Sequence, residues 1–277
     1  MTFSIVARSA DGESWGVAVA SKFLAVGSPV PAAVAGVGAI ATQADANVAY
    51  KGLALSHLDD GATAEVALQR LLEEDDGRDH RQVGIVDVDG SAASHTGGDC
   101  LDWAGGVTGD GYAIQGNILT GPEVVEAMEA AWLASGAETS LERRLLAALT
   151  AGDEAGGDSR GRQSAALLVV RDGAGYGGND DIACDLRVDD AASCGGTPIV
   201  ELERLLSLSE LYLTASTDDE KVAITPELEA ELESLATGLG HRDFAAWVGT
   251  ENYEMRVADD GSWIDVRILE IIREAGR

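Results

Sequence analysis

Residues 1–8 read MTFSIVAR, a short apolar strand that begins with a hydroxyl residue directly after the initiator methionine. Threonine is small enough for removal of Met1 to be expected, and removal would leave Thr2 with a free α-amine. Such a residue carries a nucleophile and a base together, because the amine, with a reference pKa of about 8, accepts the hydroxyl proton near neutral pH. Thr2 is therefore the candidate nucleophile. The alternative is an ordinary threonine at the start of a strand.

Charge is the strongest feature of the composition. The chain has 277 residues, of which 45% are hydrophobic, and 48 acidic residues against 19 basic ones give a net charge of −29. A surface this acidic speaks against DNA, RNA and anionic membranes as partners, because phosphate groups are bound by basic patches. The acidic residues are interleaved with apolar ones, which is typical of a folded protein and not of a disordered one. We expect a halophilic protein whose self-repulsion is screened by salt.

Several classes of site and location are disfavoured by what the sequence lacks. No apolar run approaches the roughly 18 residues of a membrane span, and the start shows no signal peptide, so we expect a cytoplasmic protein. Cys100, Cys184 and Cys194 form no CxxC pair, which predicts reduced thiols. His95, Asp99 and Cys100 match no zinc spacing, and no nucleotide-binding glycine motif occurs. We therefore predict no metal and no cofactor.

Hairpins alternate with helix pairs along the chain. This order favours sheet packed on sheet with helices outside, in an α+β fold and not in a doubly wound parallel sheet. The Gly- and Ala-rich run at 33–42 is predicted to be one buried strand. The other predicted strands are residues 3–8, 15–21, 82–88, 91–95, 112–115, 163–171 and 182–188, and the predicted helices begin near residues 48, 63, 121, 141 and 198.

The C-terminal part of the sequence has a different character. We predict a main domain over 1–213, a polar and acidic linker over 214–225, and a small helical module over 226–277. The residues expected to build the core of the module are Leu228, Leu232 and Leu235 on one helix face, together with Trp247, Tyr253, Trp263 and a closing helix over 264–272.

Several motifs occur in a characteristic order along the chain. They are residues 2–7, 16–22, 81–87, 95–97, 116–117, 157–158, 160–167 and 185–190. Together they resemble the family catalogued as domain of unknown function 1028, which is grouped with the N-terminal nucleophile (Ntn) hydrolases. The resemblance extends from residue 2 to about residue 213 and implies a four-layer αββα sandwich. The tail, through residues 247–254, is similar to a small module assigned to peptidoglycan binding.

Three residues are candidates for catalysis. The resemblance strengthens Thr2 as the nucleophile. Lys22 ends the second strand, beside the start of the first if the two pair as a hairpin. There its ammonium would lower the pKa of the Thr2 amine and stabilise an oxyanion, unless it is an ordinary surface lysine. Asn117 follows a glycine before a helix N-terminus, which suits an oxyanion donor or a turn asparagine.

Five polar residues are candidates for binding substrate. Gln43 and Asn47 follow the third strand at the same sheet edge, where their amides would orient a carbonyl group or cap the next helix. His95 lies at a strand end, as a catalytic partner or as a histidine satisfied by hydrogen bonds. Asp158 and Arg160 would bind a substrate carboxylate through the arginine fork, or would form a structural ion pair.

The predicted activity is hydrolysis of an amide C–N bond. Thr2 attacks the carbonyl carbon of a small amide or peptide-like substrate, its amine moves the proton, and water hydrolyses the acyl-enzyme. The expected assembly is a homo-oligomer. The alternative is a non-catalytic binding or scaffold protein that retains the Ntn fold, since a fold does not fix a function.

Overall fold

The computed structural model describes residues 2–277, except for the side chains of residues 193 and 194. The predicted removal of Met1 and the thiol of Cys194 lie outside the described residues. The chain divides into two compact units, one ending at Arg204 and the other running over Leu205–Arg277. The domain limits expected at residues 213 and 226 stay a prediction.

Two antiparallel sheets form the first unit, one in the order β10-β9-β2-β1-β8-β7 and the other in the order β3-β4-β5-β6. The predicted mixed class of helices and antiparallel strands is confirmed. The strands are β1 (Thr2–Arg8), β2 (Ser14–Ser21), β3 (Pro31–Val34), β4 (Gly38–Ala44), β5 (Arg81–Asp87), β6 (Ala92–Thr96), β7 (Gly105–Gly109), β8 (Tyr112–Asn117), β9 (Ser164–Arg171) and β10 (Ile182–Val188).

Five α-helices begin in the first unit. They are α1 (Ala49–Asp59), α2 (Ala64–Glu73), α3 (Glu123–Ala134), α4 (Leu141–Glu154) and α5 (Pro198–Leu213), the last of which continues into the second unit. Local chemistry sets two of the starts. The Thr63 hydroxyl accepts the N–H of Val66 at the start of α2, and Ser140 accepts the N–H of Arg143 at the start of α4. Each cap satisfies a backbone donor that the first helical turn leaves unpaired.

The two sheets pack against each other through small apolar side chains. Val6, Val17 and Val19 of the larger sheet belong to one buried cluster with Ala41 and Val86 of the smaller sheet. Strand residues alternate between the two faces of a sheet, so the residues next to these valines on β1 and β2 point to the face away from the smaller sheet. Every residue of β2 is buried, because α4 packs on the face that does not meet the other sheet.

Helices cover the outer faces of both sheets. Ile40, Val83 and Ile85 of the smaller sheet share a buried cluster with Tyr50 of α1 and Leu68 of α2. On the larger sheet a Cβ added to Gly16 of β2 would stand 2.8 Å from Leu145 of α4. The helix and the strand therefore approach closely there because glycine has no side chain.

The structure differs from the sequence-based prediction at two glycine-rich segments. The run at 33–42 is a hairpin of β3 and β4, because Gly36 takes a positive φ of 71° that lets the chain reverse. Residues 105–109 form β7, an edge strand that the sequence did not predict. A Cβ on Gly106 would lie 2.6 Å from the Ile114 carbonyl oxygen, so β7 pairs this closely only with glycine. Alternating hydrophobicity is absent from both segments, so the pattern predicted one strand where β3 and β4 form a hairpin and no strand at 105–109.

The second unit is helical with one small sheet. It contains β11 (Lys221–Ala223), α6 (Pro226–Gly238), α7 (Phe244–Glu251), β12 (Trp263–Asp265) and α8 (Val266–Ala275). Leu232, Trp247 and Ile268 lie in its apolar core. Within the same unit the buried Arg256 guanidinium donates to Asp265 Oδ2 at 2.9 Å and to the Glu210 carbonyl at 2.8 Å. The likeness to a peptidoglycan-binding module stays a prediction.

No helix in residues 2–277 combines the length and the apolar character that crossing a membrane requires.

Candidate functional site

Thr2 lies between two strands at one end of the larger sheet. On one side it pairs with Asn117 of β8. On the other side the pairing of Phe3 with Ala20 brings Thr2 beside Ser21, the last residue of β2. The Thr2 hydroxyl oxygen Oγ1 is 3.1 Å from Ser21 Oγ, and both residues are buried. Thr2 is therefore held inside the fold and not on its surface.

Alternation along the strands decides which way Thr2 points. Val6 belongs to the cluster between the sheets, and Thr2 shares its face of β1. Ser21 shares a face of β2 with Val19 of the same cluster. Both hydroxyl groups thus lie on the side of the larger sheet that meets the smaller sheet.

A group of buried amides lies next to Thr2 between the sheets. We call it the amide cluster, and it consists of Gln43, Gln82, Gln115 and Asn117, each at most 1% exposed. Gln43 Nε2 donates to the Thr2 carbonyl at 3.3 Å, to Gln82 Oε1 at 2.8 Å and to the Gln115 carbonyl at 3.3 Å. The smaller sheet therefore holds the backbone of the candidate nucleophile through one side chain.

Gln82 is the centre of this cluster. Its Nε2 donates to the Gly116 carbonyl at 2.7 Å and to Thr96 Oγ1 at 2.9 Å, which fixes the orientation of the amide because a carbonyl oxygen only accepts. Gln82 Oε1 then accepts from both Gln43 and Asn117, the latter through Nδ2 at 2.8 Å. One amide proton of Asn117 is committed to Gln82, which leaves the second for another acceptor.

Gln115 completes the cluster on the larger sheet. Its Nε2 donates to Ser4 Oγ at 2.7 Å, and Ser4 Oγ donates to Gln43 Oε1 at 2.7 Å. The amide is accommodated by a glycine on the opposite sheet, since a Cβ on Gly84 would lie 2.1 Å from Gln115 Oε1. Gln115 Oε1 itself has no hydrogen-bond partner among the described residues.

Asp158 anchors the end of β2. Its Oδ2 accepts the backbone N–H of Lys22 at 2.6 Å, and its Oδ1 accepts the backbone N–H of Arg160 at 3.0 Å. The Arg160 guanidinium lies 3.3 Å from Oδ2, so the structure brings these two predicted residues together as an ion pair. Lys22 is placed directly after Ser21 with an exposed side chain, and it contacts Asp158 through its backbone.

Asn47 belongs to a second polar group, centred on Asp75. Asp75 Oδ2 accepts from Tyr50 Oη at 2.8 Å, from Arg81 Nε at 2.9 Å and from Asn47 Nδ2 at 3.2 Å. The Arg81 hydrogen bonds hold the pKa of Asp75 well below its usual range, and burial raises the pKa of Tyr50. Asn47 Oδ1 also accepts the N–H of Ala49 at the start of α1. These contacts match the helix-start alternative for Asn47.

His95 lies on the other face of the smaller sheet. Thr96 contacts Gln82 between the sheets, so the preceding residue of β6 faces the helices. His95 Nε2 is 3.0 Å from the Arg78 carbonyl oxygen, which satisfies the ring through the backbone. The structure therefore brings Thr2, Gln43 and Asn117 together, with Lys22 and Asp158 beside Ser21, and it places Asn47 and His95 elsewhere.

Sequence reasoning missed Ser21, Gln82 and Gln115 as parts of the site. A signal was present for the glutamines, because Gln82 and Gln115 each adjoin apolar residues of a predicted strand, and a polar side chain that such a strand buries needs an internal partner. Within the described residues no three histidine, cysteine or acidic side chains lie together in an arrangement able to hold a metal ion.

A narrow cavity lies beside Ser21. Its volume is about 10 Å³, which is room for about one water molecule. Asp158, Arg162 and Ser164 contribute polar groups to its wall, and Phe3 and Ile199 contribute apolar ones.

Comparison with known proteins identifies the family of this chain. A family model described as a family of unknown function (DUF1028) matches residues 2–202. The crystal structure of the DUF1028 protein SPO2555 from Silicibacter pomeroyi is 33% identical, with a TM-score of 0.67, over 78% of this chain and 90% of that one. Anbu, an ancestral β-subunit from Yersinia bercovieri, is 10% identical with a TM-score of 0.33 over 78% of this chain and 98% of that one. No curated protein matches. The chain belongs to the family of unknown function DUF1028.

Proposed function

We propose that this protein is an amide hydrolase of the N-terminal nucleophile type, with Thr2 as the nucleophile once Met1 has been removed. One observation carries the proposal, namely the burial of the Thr2 hydroxyl against Ser21 while Gln43 holds the Thr2 carbonyl. An ordinary first residue of a strand has no need of such support, and termini are commonly poorly held. The packing of helices on both outer faces of the paired sheets supports the αββα arrangement of Ntn hydrolases.

The proposed reaction has two stages. In the first, the α-amine of Thr2 takes the hydroxyl proton while Oγ1 bonds to the substrate carbonyl carbon, and the amine then delivers that proton to the departing nitrogen as the C–N bond breaks. In the second, water attacks the ester, the amine takes a proton from water, and the proton returns to Oγ1 as the ester bond breaks. The products are a carboxylic acid and an amine, and Thr2 is regenerated.

Two residues are proposed to stabilise the negative charge on the carbonyl oxygen. Asn117 is adjacent to Thr2 in the sheet, and its second amide proton is the proposed donor to the oxyanion. Lys22 comes directly after Ser21 in the chain. Its ammonium is proposed to lower the pKa of the Thr2 amine, which must be neutral to act as a base.

Geometry refines the proposed substrate contacts. Gln43 is committed to Thr2 and to the amide cluster, so we assign it to positioning the nucleophile. Arg160 is the best candidate for binding a substrate carboxylate, since 44% of its side chain is exposed beside the buried Asp158. The substrate class that fits is a small amide or peptide-like compound with a carboxylate near the scissile bond.

Intact-mass spectrometry and a hydroxyl-reactive probe test this proposal. We expect protein without Met1, and we expect an aliphatic β-lactone to acylate Thr2 by forming an ester at Oγ1 as the lactone ring opens. Thr2→Ala should abolish the labelling. Thr42→Ala is the matched control, because Thr42 is likewise a buried threonine in a strand. Its hydroxyl donates to the Asn47 carbonyl, away from Thr2 and the amide cluster. Retained Met1 in unlabelled wild-type protein would overturn the proposal.

A non-catalytic binding or scaffold protein is the second candidate. The observation in its favour is the cavity beside Ser21, which at about 10 Å³ admits little more than water. This function predicts that the β-lactone labels Thr2 no faster than it labels an exposed threonine such as Thr63.

A further inference from the structure

We propose that Ser21 is a second catalytic residue, whose hydroxyl donates a hydrogen bond to Thr2 Oγ1 while that oxygen carries negative charge. The inference rests on the proposed function and adds a residue that the sequence did not indicate. Ser21 Oγ lies 3.1 Å from Thr2 Oγ1, so it contacts the reacting atom directly.

The position of Ser21 is fixed before any reaction begins. Its carbonyl accepts the N–H of Gln163 at 3.1 Å, and the next residue donates its N–H to Asp158 at 2.6 Å. Ser21 is only 2% exposed, so bulk water competes poorly for its hydroxyl. A donor that is already aligned and shielded stabilises developing charge far better than one in water, because it needs no reorganisation.

The hydrogen bond from Ser21 is proposed to stabilise Thr2 Oγ1 in both stages of the reaction. During acylation Thr2 Oγ1 loses its proton to the α-amine and bonds to the carbonyl carbon. During hydrolysis of the ester the same oxygen leaves that carbon and regains a proton from the amine. Ser21 keeps its own proton throughout, and the hydrogen bond lowers the energy of Oγ1 whenever the oxygen is negatively charged. Loss of the donor is therefore expected to slow both stages.

The neighbouring strand supplies a matched structural serine. Ser164 of β9 pairs with Ser21 of β2 and is equally buried. Its hydroxyl donates to the Phe23 carbonyl at 2.5 Å and accepts the N–H of Val26 at 3.1 Å, which ties down the loop after β2. Ser164 thus anchors backbone, whereas Ser21 touches the nucleophile.

The test compares Ser21→Ala, Ser21→Thr and Ser164→Ala in the full chain without Met1. Intact-mass spectrometry follows two rates, the acylation of Thr2 by an aliphatic β-lactone and the hydrolysis of the resulting ester. We expect Ser21→Ala to slow each rate by about 100-fold, the lower end of the roughly 100- to 1,000-fold loss that follows removal of one donor from an oxyanion site. Ser21→Thr keeps a hydroxyl and should recover most of both rates. Ser164→Ala should stay within about threefold of wild type, whatever it does to the melting temperature.

Each outcome bears on a different claim. If the wild-type protein is acylated at Thr2 and Ser21→Ala reacts at the same two rates, Ser21 has no catalytic role and the proposed function stands. If wild-type Thr2 is not acylated, the proposed function and this inference fail together. If Ser21→Ala does not fold, Ser21→Cys takes its place. The weaker donor should give intermediate rates, and wild-type rates in that variant would overturn the inference.

Discussion

Gln82→Met is the sharpest test of the amide cluster. Methionine has nearly the volume of glutamine but no amide, so the change removes hydrogen bonds without opening a large cavity. Gln43 and Asn117 then each lose the acceptor at 2.8 Å, and the Gly116 carbonyl loses its donor at 2.7 Å. These three groups stay buried, because they lie between the sheets.

The expected cost follows from the groups that this change leaves without a partner. A buried donor or acceptor left without a partner costs about 1–3 kcal/mol. Gln43 Nε2 keeps the Thr2 and Gln115 carbonyls as acceptors, so the groups left unpaired are the Asn117 amide and the Gly116 carbonyl. Two such groups give an expected loss of about 2–6 kcal/mol in the free energy of unfolding. That is a large share of the roughly 5–15 kcal/mol available to a folded domain. The Thr2 carbonyl keeps Gln43 as its donor only if the Gln43 amide stays in place, so β-lactone labelling should also slow.

Urea unfolding of the full chain measures this loss. Gln69→Met is the matched control, because the Gln69 amide donates to Glu73 at 2.7 Å on the exposed face of α2. Surface changes of that kind stay within about 0.5 kcal/mol. A loss below about 1 kcal/mol for Gln82→Met would refute the reasoning, since the Asn117 amide and the Gly116 carbonyl would then have found other partners.

Three further results are expected. Hydrogen bonds from Arg81 hold the pKa of the Asp75 carboxyl well below its ordinary value of 3.8. The charged carboxylate therefore stabilises the fold fully above about pH 3.8, and this stabilisation is lost as the pH falls below that value. Asp75→Asn should therefore cost about 2 kcal/mol near pH 6 and progressively less towards pH 2 in urea titrations, and a cost independent of pH would contradict the assignment. Arg256→Met leaves the fully buried Asp265 carboxylate without its main partner and should cost about 3–5 kcal/mol, whereas Arg267→Met, at a side chain 44% exposed, should cost under about 1 kcal/mol. Finally, a net charge of −29 predicts a melting temperature that rises by several degrees from dilute buffer to molar salt, and calorimetry showing no change would disprove strong self-repulsion.

The candidate site was only partly predictable. Thr2 and Asn117 were proposed from the sequence because one begins the first strand and the other follows a glycine ahead of a helix start, and the structure pairs them at neighbouring strand ends. Gln43 was found by its place at a strand end. His95 was predicted at a strand end, as a catalytic partner or as a histidine satisfied by hydrogen bonds, and it lies on the opposite face of its sheet from Thr96 with the Arg78 carbonyl beside it. A shift of one residue along a strand reverses the face, and the sequence around His95 is too polar to fix the register.

By itself the sequence determined the mixed class of helices and antiparallel strands, because apolar periodicity, turn residues and helix caps are local signals. It also determined that a hydroxyl residue begins the first strand. Only the tertiary structure decided that Gln82, 35 residues from Asn117, accepts its amide proton, and that Asp158 reaches across 136 residues to the N–H of Lys22. Contacts of this kind depend on which strands pair and in which register, and those are set by the packing of the whole domain, not by any one stretch of the chain.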